Sequence, residues 1–544
     1  MTGPGLADLW HALVDELGDR VAVSCGEDVR TWDELDARAA LLAGHLRACG
    51  LAPGDRVAVG LRNGVAFVEV LFALVKAGLT PVNLNVRYRA AEMRHLLVDS
   101  GAQGMVVSAA MAPVALEAAA GTAAVRVGVV VPDGSGDGCD LPGYADVLAA
   151  AAPLPRTPRS AEDLLILYTG GTTGRPKGTV WPHGELMGIA AGDYRRRGET
   201  PPETLADARR IARRIGRSAE RPVTVPASPL MHGTGLFAAL GALAVGGECA
   251  LLAGPSFSAA ELWETVQRRR VTEIVIIGDV FCAPMVAELD RAAAAGDPYD
   301  LSSLRMVRSA GMRWSAESKR ALLEHADIAL VDVIASSEGG PYGVATTVRG
   351  DDPVTARFTL APGARVLTED GRDVVPGSGE IGLLAAPGRM SQGYLDDPTA
   401  SATTFRMIDG VRYVVPGDRA TLAADGSLIL LGRSSGVINS GGEKIDAEEV
   451  EQVLVRHPAV ADAVVVAVPD PRWGQTPNAL VTLRPGTTAT EEELIAHVRE
   501  SLASYKKPSR VLFVPEIMRT PVGKPDRRWA GEFAARTPPI TGTV

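Results

Sequence analysis

Between Tyr168 and Gly178 the chain reads Tyr-Thr-Gly-Gly-Thr-Thr-Gly-Arg-Pro-Lys-Gly, with four glycines, three threonines and one lysine in eleven positions. Residues of these types suit a polyanion. The glycines let backbone N–H groups come close, the threonine hydroxyls donate, and Lys177 adds a point charge. The triphosphate of a nucleotide is the natural target. The string is not the common P-loop, because Pro176 precedes Lys177 and Gly178 follows it, where that loop needs Gly before the lysine and Ser or Thr after it.

The full string resembles the phosphate loop of the adenylate-forming superfamily, which includes acyl-CoA synthetases, the adenylation domains of peptide synthetases, and luciferases. That resemblance extends over nearly the whole chain. It implies that Thr169, Gly170, Gly171, Thr172, Thr173, Gly174 and Lys177 hold the phosphates of ATP, with Thr169 also at the metal and in the catalytic set. Pro229-Leu-Met-His-Gly-Thr-Gly235 resembles the family's second motif and implies that His232 stands at the acyl pocket and the thiol entry. Amino-acid-activating relatives usually place an Asp at this position to pair with the substrate's ammonium. An unpaired buried charge is costly, so His232 argues against free amino acids as substrates.

Val331-Asp-Val-Ile-Ala-Ser-Ser-Glu338 is similar to the family's adenine and metal motif. The match implies that Asp332 accepts a hydrogen bond from the adenine amino group and that Ser336 and Ser337 lie in the nucleotide site. It also gives Glu338 the task of holding Mg2+, a hard cation suited to a carboxylate. Ile334 replaces the usual Tyr and leaves only apolar packing for adenine. Ser309-Ala-Gly-Met312 resembles the segment whose backbone, around Gly311, lies against the adenine and acyl group.

Gly417-Asp418 resembles the motif whose Asp accepts from both ribose hydroxyls, through charge-assisted bonds, with Arg433 as a second ribose or phosphate contact. Ile438-Asn-Ser-Gly-Gly-Glu-Lys resembles the loop that turns toward the active site for thioester formation, which implies that Gly441 and Gly442 let the pantetheine arm of CoA pass close to backbone. The hinge position, where the family usually carries Asp or Lys, is Ser435, followed by Gly436. Arg519-Thr-Pro-Val-Gly-Lys524 resembles the motif whose Lys bridges the attacking carboxylate and the α-phosphate, relieving their repulsion. Asp279 falls where relatives line the acyl pocket. A carboxylate there would repel an acid, so it reads as the cap of a helix beginning at Val280.

The resemblance implies an acid–thiol ligase: ATP and a carboxylic acid give an acyl-adenylate and pyrophosphate, and CoA then takes the acyl group and releases AMP. The motif variants are similar to those of actinobacterial ligases acting on fatty acids or steroid side-chain acids. Two alternatives stay open at this level. One is a stand-alone adenylation enzyme that loads an acyl carrier protein. The other is a non-catalytic acyl- or nucleotide-binding homologue.

Chemistry of this kind needs a frame. Thr31 and Glu34 predict a capping box opening a helix that ends near Gly50. Residues 56–60 read as a strand, 66–76 as a helix, 80–83 as a strand and 90–98 as a helix, and 164–167 form a buried strand leading into the phosphate string. Alternation of this sort predicts α/β architecture, with βα units on largely parallel sheets. Beyond Ser435 the chain restarts as an α+β unit: a helix capped by Asp446, strands at 463–468, 479–483 and 510–514, and a helix opened by Thr490 with Glu493. The expected layout is the adenylate-forming enzyme fold, with a large domain over 1–434 and a small, mobile C-terminal domain over 435–544.

With 544 residues, 46% of them hydrophobic and 22% charged, the chain has the composition of an ordinary soluble globular protein. A net charge of −10, from 55 basic and 65 acidic residues, argues against nucleic acid as a partner. The densest basic stretch, Arg195–Arg197 and then Arg209–Arg217, is interrupted by acids and reads as a solvated helix face. Five scattered cysteines without a CxxC pair support neither a disulfide framework nor a zinc site. No basic leader or bilayer-length apolar run is visible, which makes a cytoplasmic location the expectation. The oligomeric state is left open, a homodimer included.

Overall fold

Thr31 Oγ1 accepts from the Glu34 N–H at 3.2 Å while the Glu34 carboxylate accepts from the Thr31 N–H at 2.8 Å, and the helix Trp32–Ala48 starts there. The reciprocal cap satisfies two donors that a helix start otherwise leaves unmet. Our computed structural model describes residues 4–88, 90–122, 124–135, 139–169, 176–433, 437–440, 443–470, 474–502, 506–520 and 523–537.

The described residues group into two bodies, Met1–Thr355 with Ala386–Val414, and Ala356–Ala385 with Val415–Val544. Segments 356–385 and 415–433 therefore cluster with the C-terminal part of the chain, whereas the expected boundary near Ser435 lies outside the described residues.

In the first body a seven-stranded sheet runs in the order Gly393–Tyr394, Lys177–Pro182, Leu164–Thr169, Thr80–Asn83, Arg56–Gly60, Gly104–Ser108, Val127–Val131. Its last five strands are mutually parallel, joined by helices such as Val65–Ala77 and Ala90–Ser100. Helices on the faces are what parallel crossovers require. Leu164–Thr169 then turns back antiparallel into Lys177–Pro182, pairing Thr169 with Lys177. The phosphate string is thus the connection between two adjacent strands, and the strand before it runs two residues further than expected.

A second set of strands in this body runs Val21–Cys25, Glu248–Leu251, Val223–Pro226, Glu273–Ile276, Met306–Ala310, Ala329–Ser336 with parallel neighbours throughout. Gly339–Thr347 folds back antiparallel on Ala329–Ser336 and leaves Ser337 and Glu338 in the connecting turn.

Helix Val65–Ala77 is almost wholly buried and carries Glu69 into the core. The carboxylate is met there by Arg30 at 3.0 Å, by Arg38, and by the Tyr144 hydroxyl at 2.7 Å. Pairing of that density is what a buried charge needs.

The second body holds antiparallel strands Arg357–Leu360, Leu428–Arg433 and Asp418–Leu422. It also holds a five-stranded sheet, built from Glu443–Asp446, Val437–Ser440, Gly474–Leu483, Val460–Asp470 and Arg510–Phe513. Its helix Glu491–Ser501 starts at the Thr490–Glu493 capping box that the sequence predicts. A large α/β part on mostly parallel sheets and a smaller C-terminal part are thus both present, as the resemblance implies.

Candidate active site

Glu338 sits in the turn after strand Ala329–Ser336, is 6% exposed, and takes the Tyr394 hydroxyl on Oε1 at 2.7 Å. Its other oxygen, Oε2, is buried with no hydrogen-bond partner among the described residues. A buried carboxylate oxygen left unpartnered is costly unless a ligand completes it. The Tyr394 ring lies under the Lys177 ammonium, 5.4 Å from Nζ to the ring centre, and Lys177 also pairs with Asp397 at 3.0 Å. Two residues far apart in sequence, Lys177 and Glu338, are so brought together by one tyrosine. Asp397 caps the helix Pro398–Thr404 through the Ala400 N–H, and that bond, with Lys177 second, holds its carboxyl below the usual carboxylate range.

His232 precedes the helix Gly233–Ala244 and its Nε2 is buried without a partner among the described residues. Burial, with a smaller contribution from the positive charge of Arg87, pushes the imidazole down to about 4. The ring is therefore neutral near pH 7 and free to accept or donate at Nε2. Gly311, at φ +93°, lies next to the start of this helix: a Cβ there would be 3.8 Å from Thr234 Oγ1. Ser309 is fully buried and accepts the Gly278 N–H at 2.9 Å.

Trp181, on the strand after the phosphate string, donates its indole N–H to the Ser337 carbonyl at 3.1 Å and meets Phe237 of the His232 helix edge-on at 5.3 Å. Ser336 Oγ lies 3.1 Å from the Tyr342 hydroxyl. Ile334 is buried, 8% exposed.

Asp332 has a partner that its motif does not announce. Its carboxylate is 4% exposed and engaged by Lys319 Nζ at 2.9 Å, with the Trp314 ring 5.3 Å from that ammonium. Burial pushes the Asp332 carboxyl up, and the Lys319 charge offsets part of that. Lys319 thus takes Oδ2 of the carboxylate to which the motif gives the adenine contact. Asp279 does not cap its helix as expected. It is the first residue of its helix, and its Oδ1 accepts from Ser315 N–H and Oγ, both at 3.0 Å, tying down the start of the next helix instead of capping its own.

The string residues Gly170, Gly171, Thr172, Thr173 and Gly174 lie outside the described residues, as do Ser435, Gly436, Gly441, Gly442 and the side chains of Thr169 and Arg433. In the second body Asp418 opens a strand and pairs in register with Arg433. Lys524 is exposed in a tight turn, where its carbonyl accepts the Thr520 N–H at 2.7 Å and Arg519 bonds the Gly523 carbonyl at 2.8 Å.

The arginines of the 209–217 run are each answered by an acid: Arg209 pairs with Asp15, Arg213 with Glu16, Arg217 with Asp19, and both Arg210 and Arg214 with Glu199. Among the described residues no group of three or more His, Cys, Asp or Glu could hold a metal, and no helix is long and apolar enough to cross a membrane.

Sequence reading missed Tyr394 and Asn83. Asn83 is 8% exposed and bonds the main chain of both Tyr168 and Met231.

Comparison with known proteins gives a consistent set of relatives. The family described as AMP-binding enzyme matches residues 10–395, and the AMP-binding enzyme C-terminal domain matches 449–524. A medium/long-chain-fatty-acid–CoA/3-oxocholest-4-en-26-oate–CoA ligase of Mycolicibacterium smegmatis is 37% identical, over 98% of this chain and 97% of the relative. A 3-oxocholest-4-en-26-oate–CoA ligase of Rhodococcus rhodochrous is 36% identical, over 98% and 96%. Among solved structures, ATP-bound MatB from Rhodopseudomonas palustris superposes with a TM-score of 0.80 at 25% identity, over 97% of this chain and 99% of that one.

Proposed function

The chain belongs to the AMP-binding enzyme family, and from that premise we propose how its residues carry out the family's chemistry. It is an acid–thiol ligase that activates a carboxylic acid with ATP as an acyl-adenylate and passes the acyl group to CoA. Splitting the acylation through a mixed anhydride replaces one unfavourable step with two easier ones.

The substrate is a medium- or long-chain fatty acid or a steroid side-chain acid. His232 supplies no anion for a substrate ammonium, which disfavours amino acids. Being neutral, it does not trap the substrate carboxylate in an ion pair, and its buried Nε2, with no partner among the described residues, is available to the acyl-adenylate. Lys177 and the string Thr169–Gly174 bind the ATP phosphates, Gly311, Ser336 and Ser337 line the nucleotide site, and Asp418 with Arg433 holds the ribose.

The donor set fits Mg2+: Glu338 Oε2 is a hard, buried oxygen lacking a partner among the described residues, and Thr169 adds a hydroxyl. Bound with ATP, the ion would supply charge neutralisation on the phosphates. Lys524 bridges the attacking carboxylate and the α-phosphate, preorganised for charge that builds in the transition state. The small domain, residues 435–544, then turns about Ser435, withdraws Lys524 and brings Gly441 and Gly442 to the pantetheine arm. The reaction takes place in the cytoplasm.

The observation that carries this reading is the orphaned Glu338 Oε2, whose partner oxygen Tyr394 holds beside Lys177. Mass spectrometry after incubation with ATP, Mg2+, CoA and a mixed pool of fatty, aryl and steroid-side-chain acids tests it. A CoA thioester of a fatty or steroid acid is the expected product. Thioesters of aryl acids alone would overturn the substrate class, and AMP release without thioester would overturn CoA as acceptor.

A further inference from the structure

Thr80–Asn83 and Leu164–Thr169 are parallel neighbours, but they pair in register only at Val82 and Ile166 among the described residues. On its other side the first strand pairs with Arg56–Gly60 along its whole length, and that pairing runs on to the Leu84 N–H, which donates to the Val59 carbonyl at 2.9 Å. The Asn83 side-chain amide takes over the missing rung. Its Oδ1 accepts the Tyr168 N–H at 2.5 Å and its Nδ2 donates to the Tyr168 carbonyl at 3.0 Å, much as a peptide group would.

The second hydrogen on Nδ2 goes elsewhere, to the Met231 carbonyl at 2.7 Å. Both amide hydrogens and the amide oxygen are thus used, at a buried position where each is worth keeping. The same turn grips Met231 a second time, through the Val86 N–H on Sδ at 3.4 Å. Tyr168 opens the phosphate string and Met231 precedes His232, so one side chain ties together the starting points of two site segments 63 residues apart (231 minus 168).

We infer that Asn83 is a positioning residue, which sets the phosphate-binding end of strand Leu164–Thr169 against the His232 segment through its side-chain amide. The inference rests on the assignment of ATP phosphates to the Tyr168–Gly178 string and of the acyl group to His232. No residue of other type and similar size does the same work: Asp offers no donor and would face two carbonyl oxygens, and Leu would leave all three backbone groups unpaired.

The test compares Asn83→Asp and Asn83→Ser with the wild-type enzyme in three measurements. These are ATP affinity by calorimetry, acid-dependent pyrophosphate exchange, and thioester formation from supplied acyl-adenylate. Asn83→Asp is expected to weaken ATP binding about tenfold and to raise the KM for ATP in exchange by a similar factor, the size of effect one buried hydrogen bond carries. Thioester formation per folded molecule falls less. Asn83→Ser, shorter and neutral, follows in the same direction, and the reading rests on it if the Asp variant does not fold.

A merely structural role would lower the melting temperature and both half-reactions in proportion to the folded fraction, leaving ATP affinity within about twofold. That result overturns the inference. The ATP-binding arm stands without turnover. A wild-type enzyme that binds ATP but exchanges with no acid would therefore count against the proposed reaction, while the Asn83 comparison would still be decided.

Discussion

The Tyr394 hydroxyl donates to Glu338 Oε1 at 2.7 Å, while Oε2 has no partner among the described residues. The bond fixes which oxygen is presented and in which direction. The same ring stacks under Lys177 and so places a cation beside that carboxylate's support.

Tyr394→Phe removes the hydroxyl and keeps the ring under Lys177. Loss of one hydrogen bond to a charged group costs about 1.5–3 kcal/mol, and pyrophosphate exchange should fall by about tenfold or more. The Mg2+ concentration for half-maximal exchange should rise as well. Exchange measured across a Mg2+ titration decides it, and an unchanged profile would place Tyr394 outside the adenylation step.

Lys524→Ala should cut adenylation by about a hundredfold or more, as loss of one preorganised electrostatic donor does elsewhere. Thioester formation from supplied acyl-adenylate should be nearly spared, because the proposed swing withdraws Lys524 before that step. Rapid-quench assays of the two half-reactions read the difference directly. Equal losses in both would sink the swing.

Asp332→Asn leaves the Lys319 ammonium buried without its counter-charge, a loss of about 3–5 kcal/mol in folding stability. Urea unfolding should show it, with the KM for ATP little changed in the folded fraction. A large rise in that KM with stability intact would favour the adenine contact expected from the motif.

Acid should destabilise the fold through two buried histidines. Burial lowers the imidazoles of His183 and His232 to about 4, below the ordinary value of 6.5. The unfolded chain therefore binds protons first, and stability present above pH 6.5 drains away as pH falls towards about 4. The slope is at most about 1.4 kcal/mol per pH unit for each ring. Denaturant midpoints across this range check it, and His183→Gln should flatten the curve.

Much of the frame can be read from local sequence, because the capping boxes at Thr31 and Thr490 and the βα alternation are marked within a few residues of where they act. Glu338 and Lys177 are legible for the same reason, each sitting inside a contiguous string. Tyr394 and Asn83 are not. Their partners stand 56 residues away in one case and 85 and 148 in the other, and no nearby pattern announces them. Asp332 shows the same limit: its motif position suggests a ligand and says nothing of Lys319, a residue the motif does not contain, which bonds its carboxylate.

The helix Ala447–Val455 lies so close to strand Leu428–Arg433 that a Cβ on Gly432, itself at φ +98°, would fall 1.9 Å from Glu448 Oε2. The positive φ alone would strain any other residue there, and a new side chain would also have to displace the Glu448 carboxylate. Gly432 therefore ties the end of its strand to the start of the following helix by leaving room for that carboxylate, a join made by what the residue lacks.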